Sequence, residues 1–88
     1  MITRTLTLTN PTGLHARPAA LFVQAAQRFP GTTVTLRLGD RSANVRSLLS
    51  VLALGAGAGS SVTIECEGTQ EQEAMDALVA LLESGFGE

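Results

Sequence analysis

Residues 2–9 alternate between apolar and polar: Ile2, Leu6 and Leu8 share one phase, and Thr3, Thr5, Thr7 and Thr9 the other. A period of two predicts a half-buried strand with β-branched residues on its polar face. Arg4 interrupts the apolar phase near the chain start, where an edge strand tolerates it. Asn10-Pro11-Thr12-Gly13 is a turn cluster that ends the strand. From Ala16 to about Phe29 the period becomes helical, with Ala19, Phe22, Ala25, Ala26 and Phe29 on one stripe. Pro18 fits such a helix only in its first turn, where a missing N–H costs nothing. The helix therefore starts within a residue or so of His15, and Pro30-Gly31 stops it.

Alternation resumes over 33–38, with Val34, Leu36 and Leu38 inward. Gly39-Asp40 reads as a two-residue hairpin turn, and 41–45 is the partner strand with Ala43 and Val45 inward. Residues 47–54 differ: Leu48, Leu49, Val51, Leu52 and Leu54 crowd a short predicted helix, with Ser47 as its N-cap. So apolar a helix is either mostly buried or presents a patch to a partner. Gly55-Ala56-Gly57-Ala58-Gly59-Ser60 reads as a flexible loop and helix stop. A fourth strand spans 61–67, with Val62, Ile64 and Cys66 inward. Thr69 then caps a last helix over about 70–84, whose acidic first turn complements the helix dipole. Gly85 ends that helix, and Phe86-Gly87-Glu88 is expected to be a tail.

The order is βαββαβα, an α+β pattern. Four strands and three helices with one apolar face each pack most economically as an antiparallel or mixed sheet, covered by helices on one side and wet on the other. At 88 residues the chain is expected to be a single domain, 1–88. Its 44% hydrophobic content is too high for disorder. Three Phe, with no Trp or Tyr, leave few platforms for base stacking, so a nucleic-acid partner is not expected. Met1-Ile2-Thr3-Arg4 leads into alternation without an apolar signal core, and no run is long enough to span a membrane. A cytoplasmic protein, not inserted in a membrane, is the expectation. Cys66 stands alone, which excludes an intrachain disulfide and a cysteine zinc site. No metal or cofactor is expected. Charge is divided: residues 1–46 hold six arginines against Asp40, and residues 47–88 hold seven carboxylates and no base. A fold that gathered the arginines would offer an anion or an acidic partner a positive face.

His15 is the one histidine. At a helix start its ring lies beside the N–H groups of Ala16 and Arg17, which the helix cannot pair and which favour negative charge. Arg17 adds a guanidinium fork suited to phosphate oxygens. Gly13 permits a tight approach and leaves the site open. No triad, metal-ligand set or Walker lysine accompanies this histidine. The Gly55/Gly57/Gly59 loop follows an apolar helix, not a strand, and no Lys-Ser/Thr follows it, so it is not a nucleotide cradle. The residues can therefore hold a phosphoryl group but need other proteins to deliver and remove it.

The stretch Gly13-Leu14-His15-Ala16-Arg17-Pro18-Ala19 resembles the active-site motif of the HPr family, the histidine-containing phosphocarriers of the phosphoenolpyruvate-dependent sugar phosphotransferase system. Asn44-Val45-Arg46-Ser47-Leu48-Leu49-Ser50-Val51-Leu52-Ala53-Leu54-Gly55 resembles the family's second motif, around a regulatory serine, and the likeness runs the full length. It implies an open-faced β-sandwich: a four-stranded antiparallel sheet with three helices on one face. It implies a stoichiometric carrier and not an enzyme, in which His15 takes phosphate from phospho-enzyme I at Nδ1 and passes it to IIA domains of sugar permeases. Arg17 would neutralise the phosphoryl group, with the backbone of Ala16 and Arg17 around it. Leu48, Leu49, Leu52 and Phe22 correspond to the partner-docking surface of a monomer. Ser47 matches the serine that a dedicated kinase and phosphatase act on in some bacteria. Arg46 stands where lysine is frequent and Ser50 where glycine is frequent, which bears on recognition by that kinase more than on carriage by His15. The competing readings are an HPr-like regulatory adaptor working through Ser47, and a paralogue of a nitrogen-related branch.

Overall fold

The period-two segments pair as the alternation requires, and the helical segments cover one face of the resulting sheet. In a computed structural model, which describes residues 1–87, the elements are β1 (Ile2–Thr7), α1 (Ala16–Gln27), β2 (Thr32–Leu38), β3 (Arg41–Asn44), α2 (Leu48–Ala53), β4 (Ser61–Gly68) and α3 (Glu71–Glu83), followed by a 3₁₀ turn (Gly85–Gly87). The strands lie in the order β1-β4-β2-β3, and every neighbouring pair is antiparallel. The open-faced sandwich is thus observed, with no parallel strands in it.

Register explains the core. Along the central strand β4, Val62, Ile64 and Cys66 are fully buried. Cys66 sits opposite Ile2 and Val34, Val62 opposite Leu6, and Ile64 opposite Leu36. Leu36 in turn faces Ala43. Paired residues share a sheet face, so one side becomes a continuous apolar floor. Phe22 and Ala19 of α1 and Leu78, Met75 and Ala74 of α3 close over it. Arg4 shares the inward phase opposite Ile64 but stays exposed, because β1 is an edge strand. On the wet face the hydroxyls of Thr5 and Thr63 lie 2.9 Å apart, and Arg37 donates to Glu65 at 2.7 Å.

Three expectations are corrected. Thr69 does not cap α3; Gln70 holds the cap position without a side-chain bond of its own. The Thr69 hydroxyl lies against Gly31, and two amides beside it bond elsewhere. Gln70 N–H donates to Thr32 Oγ1 at 3.1 Å, and Gly68 N–H donates to Glu71 Oε1 at 3.2 Å. The segment 55–60 is not a loose loop: Ala56 is buried, and Gly59 N–H donates to Leu8 O at 3.0 Å. Phe86 is not a tail residue either. It is 2% exposed in the core and adopts a left-handed φ of 56°, between Gly85 and Gly87. Glu88, the end of that expected tail, lies outside the described residues.

Two measurements follow. Phe86→Ala should cost about 3–5 kcal/mol in urea denaturation, as for other buried phenylalanines; a loss under about 1 kcal/mol would return Phe86 to the tail. Glu71 is held below the ordinary glutamate range, first by the Gly68 N–H bond and then by the Met1 ammonium 3.3 Å away. A carboxyl depressed in the folded state stabilises the fold above its unfolded pKa, and that contribution disappears as pH falls through the folded value. Glu71→Gln should therefore flatten the fall in stability below about pH 4.3, read by denaturation at a series of acid pH values.

Candidate functional site

The approach to His15 is built from backbone. After β1 the chain is stitched to the 55–60 segment, where Leu8 N–H donates to Ser60 O at 2.9 Å. Asn10 then turns inward, 1% exposed, and its Nδ2 donates to Gly13 O at 2.7 Å and Thr12 Oγ1 at 3.4 Å. Gly13 N–H closes the turn onto Asn10 O at 3.4 Å. Gly13 itself has φ +66°, and a Cβ there would stand 2.6 Å from Ala56 O and 2.7 Å from the backbone of Gly57. Only glycine fits that conformation and that gap. Leu14 is buried, and its N–H donates to Ala56 O at 2.8 Å.

This seating delivers His15 to the N-cap of α1 in extended conformation, φ −90° and ψ −166°, with its side chain exposed. The His15 carbonyl accepts Ala19 N–H at 2.9 Å, the first bond of the helix. The ring does not cap the helix. Ala16, Arg17 and Pro18 fill the first turn; Pro18 has no N–H, so the amides of Ala16 and Arg17 are the donors that turn leaves without helical acceptors. No carboxylate occupies the turn to compete for them. Arg17 is exposed beside His15 in sequence. An exposed histidine at the N-cap, amides without helical acceptors and an exposed arginine in the same turn are groups of the kind that attract an anion.

Ser47 is the N-cap of α2, and its Oγ accepts Ser50 N–H at 3.2 Å. On α2, Val51 and the following Leu54 are buried, whereas Leu48 is 39% and Leu49 79% exposed and Leu52 is half-buried. Phe22 does not join them. It is fully buried, because it lies on the Ala19–Ala26 stripe of α1 that faces the sheet, so it cannot form part of a docking surface. Between α1 and Leu48 runs a cleft lined by Ala20, Val23, Gln24, Gln27 and Arg46. The remaining nucleophile, Cys66, is buried, and burial pushes its thiol up to about 11; it stays protonated and inert near neutral pH. Among the described residues no group of His, Cys, Asp and Glu is placed to hold a metal ion, and no helix is long and apolar enough to cross a membrane.

Two members of this arrangement were not legible in the sequence. Asn10 is in effect the clamp of the His15 loop, and the Ala56 carbonyl is its anchor. The Asn-Pro-x-Gly order signals the turn, but burial of the amide depends on chain segments far away in sequence.

Comparison with known proteins points the same way. Residues 2–84 match the family described as "PTS HPr component phosphorylation site". The phosphocarrier protein HPr of Cupriavidus necator is 46% identical over 88 residues, covering 100% of this chain and 98% of that one. The HPr-like protein Crh of Halalkalibacterium halodurans is 46% identical over 72 residues, 82% of this chain and 84% of that one. The crystal structure of HPr from Thermoanaerobacter tengcongensis superposes with a TM-score of 0.95 at 43% identity, covering 100% of this chain and 98% of that one. An HPr dimer from the same organism superposes with a TM-score of 0.79, covering 100% of both chains.

Gly13→Ala tests the seating. Gly39 also has positive φ, +62°, but nothing lies within 4 Å of its missing Cβ. Gly39→Ala should cost about 1–2 kcal/mol, for left-handed backbone alone. Gly13→Ala should cost more and should shift the Leu14 amide resonance; equal costs for the two variants would show that the Ala56–Gly57 contact is not tight.

Proposed function

The chain belongs to the HPr family of phosphocarrier proteins, and we propose that it carries phosphate on His15 between phospho-enzyme I and IIA domains of sugar permeases. The observation that supports this most is the exposed N-cap position of His15, before exposed Ala16 and Arg17 in a first turn that holds no carboxylate. In transfer, a ring nitrogen, by family resemblance Nδ1, forms a bond to phosphorus as the bond to the donor breaks. Negative charge spreads over the three other phosphoryl oxygens. The two amides and the Arg17 guanidinium meet that charge without rearrangement, since Pro18 and the Gly13 seat hold the turn. The same donors then hold the phosphoryl group until a IIA domain takes it. The chain acts as a stoichiometric carrier in the cytoplasm, and one copy suffices, because His15 and the leucines of α2 lie on the same chain.

Leu48, Leu49 and Leu52 are the proposed docking patch. Ser47 lies at its edge, where phosphorylation would add about −1.5 to −2 of charge. That charge would oppose an acidic partner and raise the cost of desolvating the leucines. A second reading, a regulatory adaptor acting through Ser47, draws support from the match to the HPr-like protein Crh. The two readings differ over His15.

Mixed with enzyme I and phosphoenolpyruvate, the protein should gain one acid-labile phosphate. His15→Ala should gain none. Arg17→Ala should slow transfer by about 10- to 100-fold, the loss of charge-assisted hydrogen bonds. Ser47→Ala should still gain one acid-labile phosphate, because its hydroxyl is not the acceptor. A parent protein left unlabelled by active enzyme I would overturn carriage in favour of the adaptor.

A further inference from the structure

α2 has six residues, too few to be stable alone. It carries no basic residue in its last turn to meet the exposed carbonyls there. The missing cation comes from another element. Arg41, the first residue of β3, donates from Nη2 to Ala53 O at 2.5 Å, the last residue of α2. The sequence separation is 12 residues, so this bond closes the whole β3–α2 excursion into a bracket. At the other end of α2, Asn44 Oδ1 accepts Arg46 N–H at 2.9 Å, and Arg46 Nη2 reaches Pro30 O at 3.2 Å. Inside the bracket the Val51 side chain anchors the helix, leaving Leu48 and Leu49 outward.

We propose that Arg41 is a positioning residue for the docking helix: its guanidinium caps the α2 C-terminus and holds Leu48, Leu49 and Leu52 in the arrangement that partners meet. Arg41 is neither part of the His15 loop nor a member of the leucine patch, so it acts on affinity and not on the phosphoryl step. The kinetic half of this inference rests on the carrier reading above; the structural half does not.

The test uses the full chain with Arg41→Gln and Arg41→Lys. In the free protein, the Leu54 and Gly55 amides, which close the last turn of α2 onto Val51 and Leu52, should exchange about two- to fivefold faster in Arg41→Gln, the scale of one cation at a helix C-terminus. KM for enzyme I and for a IIA domain should rise by a similar factor, with kcat unchanged. Arg41→Lys keeps the charge and a donor and should recover most of both effects. Unchanged exchange in Arg41→Gln overturns the proposal, even if KM rises, since Arg41 would then touch the partner directly. Faster exchange with unchanged KM overturns it too. If the parent protein takes no phosphate, the carrier reading fails while the exchange measurement still decides whether Arg41 holds α2.

Discussion

The contact of Gly13 with the backbone of Ala56 and Gly57 is the constraint on which the arrangement around His15 rests. A Cβ at Gly13 would lie 2.6 Å from the Ala56 oxygen, and φ there is +66°. Two independent reasons thus exclude any other residue. The close approach lets Leu14 N–H reach Ala56 O, and that bond fixes the residue before His15. Asn10 clamps the same turn from beneath, through Gly13 O. The start of α1 is therefore set by tertiary contacts as much as by Pro18. Ala56 lies just beyond Ala53, Leu54 and Gly55 at the end of α2, so one short segment anchors the His15 loop and terminates the helix that exposes Leu48 and Leu49.

Charge shows the same economy. The arginine-rich first half of the chain suggests a positive face, yet most of its cations are occupied within the fold. Arg37 is engaged by Glu65 on the wet face, Arg41 by Ala53 O and Arg46 by Pro30 O, and Arg28 lies 5.6 Å from the centre of the Phe29 ring. Arginine suits these tasks because its fork can hold a carbonyl while its charge stays hydrated. Arg17, in the turn that His15 opens, is the one whose place in the sequence aligns it with the proposed phosphate site. Two of the six arginines, Arg41 and Arg46, thus brace the segment from β3 to α2.

Periodicity was sufficient for what depends on neighbours. The alternation around Leu36 and Ile64, the helical stripe through Ala19 and Phe22, and the Gly39-Asp40 turn each appear where their spacing predicts. Ser47 as an N-cap and a helix start within a residue or so of His15 are legible too, because the apolar run after Ser47 and Pro18 mark the helix starts. What required distant contacts was not. Thr32 Oγ1 accepting the Gln70 N–H and Phe86 entering the core both join segments far apart in sequence; the antiparallel order is what the family resemblance implies, whereas alternation alone leaves a mixed sheet open. Burial of Phe22 was implicit in its own stripe; the family resemblance, which ties it to docking, pulled against the stripe, and the stripe describes the residue correctly.

The central claim is that a phosphoryl group sits on His15 against the first turn of α1. Its most direct test is the amide spectrum of the protein before and after phosphorylation by enzyme I. Phosphorus should couple to the His15 ring, with the largest downfield amide shifts at Ala16 and Arg17, the two donors of the first turn without helical acceptors. Phosphate on the ring with unmoved Ala16 and Arg17 amides, or phosphate elsewhere on the chain, would contradict it.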